Sequence, residues 1–156
     1  AALPEIAIEV VLGPQATSLP TLRERARLDP NLSVLVDIDD MAERMMAADL
    51  AIGAGGGTAL ERCVLGLPSI VIVLAENQRP AARAMARDGV VLTIESPDTL
   101  ATSLPELLQG LTAARLAEMS ARSAQLCDGR GATRIADALI ALPCRPPATR
   151  PHQAPV

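Results

Sequence analysis

Residues 49–72, DLAIGAGGGTALERCVLGLPSIVI, read as strand, glycine loop, helix and strand in turn. The apolar run Leu50, Ala51, Ile52 is short enough for a buried parallel strand, and it breaks into Gly53, Gly55, Gly56 and Gly57, where backbone approaches a ligand without a Cβ in the way. Thr58 follows at the predicted N-cap with Glu61 three residues on, the pattern of a capping box. The helix is predicted to run to Leu65 and stop at Gly66, before Pro68 opens the next strand. A helix N-terminus beside a glycine loop is a ready seat for a phosphate group.

Working outward, the N-terminal flank alternates in the same way. Glu5 to Leu12 is a near-continuous apolar run closed by Gly13-Pro14, a first strand ending in a ligand-facing turn. A helix is predicted over Leu19 to Leu28, with Pro20 in its first turn and Arg23, Glu24, Arg25 and Arg27 on a solvated face. A second strand follows over Leu32 to Val36. Asp37, Asp39 and Asp40 then open a helix whose Met41, Met45 and Met46 make an apolar face. The acidic cluster reads as turn and cap rather than metal site.

On the other flank, Ser69 to Leu74 is a fourth strand, Asn77 caps a helix running to Gly89, and Val90 to Ile94 is a fifth strand. Only helices come after: one opened by a capping box from Ser103 to Glu106 with Pro105 in its first turn, one over Ala113 to Cys127, and one over Ala132 to Leu142. From Pro143 the composition turns to PCRPPATRPHQAPV, which reads as a disordered tail, so the domain is placed at 1–142 and the tail at 143–156. Strands alternating with helices imply an α/β Rossmann-like three-layer sandwich on a parallel sheet of five or six strands. Its ligand belongs at the strand carboxyl ends, where four loops converge: Gly13 to Gln15, Asp37 to Asp40, Gly53 to Thr58, and Ala75 to Gln78.

Composition excludes several functions. The 156 residues include no Phe, Tyr or Trp to stack on bases, and the net charge of −4 offers little to a phosphate polymer, so nucleic acid is not an expected partner. All 14 basic residues are Arg, which removes every chemistry that needs a lysine, the Walker P-loop and Schiff bases included. The single histidine, His152, lies in the proline-rich tail, leaving no evident histidine-based nucleophile system. Cys63, Cys127 and Cys144 are scattered and odd in number, as reduced thiols are. No apolar run is long enough for a membrane span and the start lacks a basic signal region, so a cytoplasmic location is expected.

The stretch 37–78, DIDDMAERMMAADLAIGAGGGTALERCVLGLPSIVIVLAENQ, closely resembles the C-terminal half of the UDP-2,4-diacetamido-2,4,6-trideoxy-β-L-altropyranose hydrolases of pseudaminic acid synthesis and of the related spore-coat polysaccharide proteins. More distantly it resembles the UDP-N-acetylglucosamine transferase of peptidoglycan synthesis. The resemblance implies one half of a GT-B fold, in which two Rossmann-like domains face across a cleft and the C-terminal one binds the UDP of the donor. It would place the uracil edge at Ile38, the diphosphate at Gly55, Gly56, Gly57 and Thr58, and the ribose hydroxyls on Glu61. Asn77 and Gln78 would look toward diphosphate or sugar, and Gly13 and Pro14 would line the opposite lip. Where the hydrolases usually have Ser before the Thr and Trp before the Glu, this chain has Gly57 and Leu60. The family's catalytic histidine belongs to the N-terminal domain. On that reading this polypeptide is half an enzyme, binding a UDP-sugar with no further cofactor and taking its chemistry from an N-terminal GT-B domain or a separate partner subunit.

Local structure alone offers other roles for the same residues. Thr58 and Glu61 serve a helix start with or without a ligand, Asn77 is an adequate N-cap, and the methionine face reads as core. Three functions stay open: the donor-binding half of a UDP-sugar hydrolase or transferase, a separate non-catalytic binding subunit, and a Rossmann-like NAD-binding protein. The glycine pattern is a weak dinucleotide fingerprint, since it follows the third strand rather than the first.

Overall fold

The computed structural model describes residues 6–142; the predicted tail, with Cys144 and His152, lies outside them. All five predicted strands form and every pairing is parallel, giving an α/β three-layer sandwich on a small parallel sheet, the architecture of half a GT-B fold. In place of one ladder of the five or six strands expected, hydrogen bonding divides the strands into a pair and a triple, each in its own compact unit, one ending at Ala47 and the other starting at Ala48.

In the first unit, β1 (Ile8–Leu12) and β2 (Leu32–Val36) pair from Ile8 opposite Leu32 to Leu12 opposite Val36. Between them runs α1 (Leu19–Leu28), as predicted, with Leu19, Leu22 and Ala26 half-buried at helical spacing and its arginines in solvent. The Asp29 carboxylate accepts the Asn31 N–H at 3.0 Å and closes the turn into β2. After β2 comes α2 (Met41–Ala47).

The second unit carries β3 (Ala51–Ala54), β4 (Ser69–Ile72) and β5 (Val91–Ile94) in that order. The central strand β4 has Ile70 and Val71, on opposite faces, both fully buried, as a strand covered on two sides requires. Val71 and Val73 share one core cluster with Ala59 and Cys63 of α3 (Gly57–Val64) and Ala82 and Met85 of α4 (Arg79–Arg87). Three helices follow: α5 (Leu100–Gln109), α6 (Ala113–Leu126) and α7 (Gly131–Ala141). The sixth helix packs on α3 with Met119 fully buried, and its Ser123 hydroxyl donates to the Val90 carbonyl at 3.5 Å. Among the described residues no helix is long and apolar enough to cross a membrane.

Two predicted helix starts are corrected. Gly56 is the N-cap of α3, with no side-chain cap, so Thr58 and Glu61 lie inside the helix and the capping box does not form. Likewise α5 starts at Leu100, not at Ser103, after a 3-10 turn over Pro97–Thr99 whose Ser96 hydroxyl accepts the Asp98 N–H at 3.2 Å; Pro105 is therefore inside the helix.

Candidate functional site

The glycine loop is built by β3 delivering its last residue, Ala54, into a bend at Gly55 and Gly56, from which α3 departs. Gly55 is buried, and its N–H donates to the Ile72 carbonyl at 3.2 Å, tying the loop to β4. A Cβ there would stand 3.1 Å from Val71 Cγ1 and 3.5 Å from Gln78 Cβ, so the position is packed on both sides. Gly56 and Gly57 differ: an added Cβ at either meets nothing within 4 Å. The loop is anchored at its root and open at its crest, where no side chain caps the helix; the Ala59 N–H donates to the Gly56 carbonyl at 3.0 Å, and the Gly57 and Thr58 N–H groups before it have no intrahelical acceptor. Thr58 and Glu61 are exposed, and among the described residues neither side chain makes a hydrogen bond.

The loop after β4 meets this one through Gln78, whose Oε1 accepts the Leu74 N–H at 3.2 Å and lies 3.6 Å from the Cβ position of Gly55. Asn77 is exposed in the 3-10 turn Glu76–Gln78 and caps nothing; the N-caps of that turn and of α4 are Ala75 and Gln78, neither through its side chain. This corrects its predicted capping role. The turn is held by Arg79, which reaches Glu76 at 2.7 Å, the Glu95 carbonyl at 3.1 Å and the Glu95 carboxylate, while Arg83 reaches Glu95 at 3.1 Å. Hydrogen bonds from these guanidiniums hold Glu76 and Glu95 below the usual carboxylate range. Sequence reading gave Arg79 and Arg83 no role and missed this network; the carboxylate partner, Glu95, directly follows β5.

A second residue escaped it altogether. Arg62 projects from α3 back toward β3 and is 5% exposed. Its Nη2 donates to the Ala54 carbonyl at 3.0 Å, its Nη1 fills the space a Cβ on Gly53 would need, at 2.5 Å, and its Nε is buried with no partner. The one available signal was Gly53, a small residue in a strand, whose missing side chain is the seat of the guanidinium. Beside Arg62, burial pushes the Cys63 thiol up, so it stays protonated at neutral pH.

In the first unit the two remaining loops lie side by side, because the Asp37 N–H donates to the Leu12 carbonyl at 3.2 Å. Gly13 and Pro14 form an exposed turn in which the Gly13 carbonyl accepts the Ala16 N–H at 3.1 Å. Asp37 takes φ of 54°, the left-handed region, and Ile38 after it is half-buried. Asp40 is drawn to Arg44 at 2.9 Å, and Arg44 also reaches Glu9 at 3.3 Å; the hydrogen bond from Arg44 holds the Asp40 carboxyl low. Chemically, the second unit combines unpaired N–H donors, a free hydroxyl and a free carboxylate around an open loop, a set suited to an anion with neighbouring hydroxyls.

At 32% identity over 115 residues the chain is similar to the UDP-N-acetylglucosamine--N-acetylmuramyl-(pentapeptide) pyrophosphoryl-undecaprenol N-acetylglucosamine transferase of Methylibium petroleiphilum, covering 70% of this chain and 31% of that protein. The Haemophilus ducreyi protein of the same name is 33% identical over 129 residues, with 79% and 36% covered. The spore coat polysaccharide biosynthesis protein SpsG of Bacillus subtilis is 31% identical over 84 residues, with 54% and 25% covered. The chain thus spans about a third of the length of the transferases it matches. These matches carry two of the relatives that sequence reading named, the spore-coat protein it put first and the transferase it put more distant, and not the specific hydrolase. Residues 5–139 match the model of the glycosyltransferase family 28 C-terminal domain, and this chain belongs to that family.

Proposed function

We propose that this chain binds the UDP moiety of a nucleotide sugar. The diphosphate sits on the open crest at Gly56, Gly57 and Thr58, the ribose hydroxyls on Glu61, and the diphosphate or sugar near Asn77 and Gln78. Gly55 shapes the loop from beneath; Ile38 for the uracil edge, and Gly13 and Pro14 for the opposite lip, carry over from the resemblance alone. The observation that supports this most is the uncapped start of α3: Thr58 and Glu61, which a capping box would occupy, are free. In this reading the chain is the donor half of a transferase or hydrolase of bacterial surface polysaccharide synthesis, completed by an N-terminal GT-B domain or a partner subunit that brings the catalytic groups. The finer assignment to pseudaminic acid synthesis rests on the resemblance of residues 37–78 and is tested with the corresponding UDP-sugar.

Titration with UDP beside NAD tests the core of the proposal. UDP is expected to bind with Kd on the order of 10 µM to 1 mM, modest because one side of a GT-B cleft contributes the contacts. A rise in Tm with UDP should follow by mass action. A response to NAD with none to millimolar UDP would overturn the proposal in favour of a dinucleotide-binding protein. UDP-sugar turnover by this chain alone at ordinary enzymatic rates would overturn its half-enzyme part, and the UDP-binding part would stand.

A further inference from the structure

A buried guanidinium normally sits against a carboxylate, because an ion taken out of water needs a counter-charge. Arg62 has none. Among the described residues its single hydrogen bond goes to a neutral carbonyl, that of Ala54, and no acidic group lies within ion-pair distance, whereas other arginines of the chain pair freely with surface carboxylates. Burial depresses its affinity for the proton, and its Nε is enclosed without an acceptor. The site of this unpaired charge is specific. The guanidinium rests on Gly53 and Ala54, the last two residues of β3, one peptide unit before Gly55.

We infer that Arg62 is the built-in cation of the glycine loop, held at its root to favour a nucleoside diphosphate, with about three negative charges at neutral pH, over a nucleoside monophosphate, with about two. The inference rests on the UDP-binding proposal and adds the origin of the preference for the second phosphate. Helix N–H groups and the dipole of α3 attract any anion at the crest. A full positive charge below the loop, in a poorly screened interior, adds attraction that grows with the charge of the ligand. It needs no contact with the ligand, so Arg62 is a positioning and field residue rather than a catalytic one. Gly53 belongs to the same device: any side chain there would evict Nη1.

The test is the ratio of UMP to UDP dissociation constants, measured by calorimetric titration of the whole chain at low and high salt. In the unsubstituted protein UDP is expected to bind at least tenfold more tightly than UMP. Arg62→Gln should bring the ratio to about threefold or less, Arg62→Lys should retain most of it, and Gly53→Ala, which keeps the charge but displaces it, should lower it as Arg62→Gln does. A merely structural Arg62 would weaken UDP and UMP equally and leave the ratio intact, and that result would overturn the inference while leaving the UDP-binding proposal standing. If Arg62→Gln does not fold, Gly53→Ala alone decides, and an unchanged ratio overturns the inference. Absence of UDP binding in the unsubstituted chain is the separate result that removes the proposal beneath it.

Discussion

Glu61 and Thr58 show how the same two residues change meaning when a helix starts two residues earlier. With Gly56 as the N-cap, neither side chain is engaged in the fold, so neither should matter to stability. Glu61→Gln is expected to leave Tm unmoved and to weaken UDP by roughly ten- to a hundredfold, about 1 to 3 kcal/mol, because a neutral amide offers one good acceptor where the carboxylate offers two. Thr58→Ala, which a capping role would make destabilising, should now be neutral in a melting curve and costly only in titration. Asp37 is the opposite case, a residue under backbone strain at φ 54°. Relieving the left-handed conformation with Asp37→Gly should raise stability by up to about 1 kcal/mol, and Asp37→Val should lower it by about 1 to 2 kcal/mol, both read from urea unfolding. What sequence could not disclose at this scale was Arg62: an arginine on a helix reads as solvated, and only the hollow at Gly53 makes it internal.

Helices α3 and α4 end by the same device. The N–H groups of Gly66 and Leu67 donate to the carbonyls of Cys63 and Arg62, and those of Gly89 and Val90 to Ala86 and Met85, each pair closing a left-handed turn at glycine that feeds the next strand. These stops were legible, because a glycine requirement is local and one residue satisfies it. The starts were less so: a Thr or Ser followed three residues later by Glu occurs at Thr58 and at Ser103, yet in both places the chain had already turned helical upstream. Strand interiors and α1 were read well, since their signal is a period sustained over many residues. From the observed geometry, Gly66→Ala should cost about 1 to 2 kcal/mol, through strain at φ +66° and a Cβ 3.2 Å from Ser120 Oγ. Gly57→Ala should do the reverse. With open space around it and a helical backbone, it is expected to gain up to about 1 kcal/mol in thermal unfolding while its methyl group, placed on the crest, weakens UDP.

For the molecule as a whole, stability toward acid follows from its arginines. Asp40, Glu76, Glu95, Glu118 and Asp128 are all held below their ordinary range, in each case chiefly by a hydrogen bond from an arginine. A depressed carboxylate contributes stability that is full above its unfolded value and is lost as the pH falls through its folded one. Tm should therefore be level from neutral pH down to about 5 and fall from about pH 4 downward, with a smaller fall in high salt, which already screens these exposed pairs. Fold class and the place of the glycine loop were legible at this scale because alternation of strands and helices is a property of the whole chain. The division into two hydrogen-bonded ladders was not, since no local pattern says which strands pair. One property of the interior reaches beyond folding. The core is made of Ile, Val, Leu, Ala and Met with a buried thiol, and the chain holds no Phe, Tyr or Trp. The polypeptide is consequently almost transparent in the near ultraviolet and has no intrinsic fluorescence to quench. A uracil ring, by contrast, absorbs strongly there. Any such band in a purified sample belongs to something other than the chain, so a nucleotide carried through from the host cell would announce itself in a plain absorption spectrum.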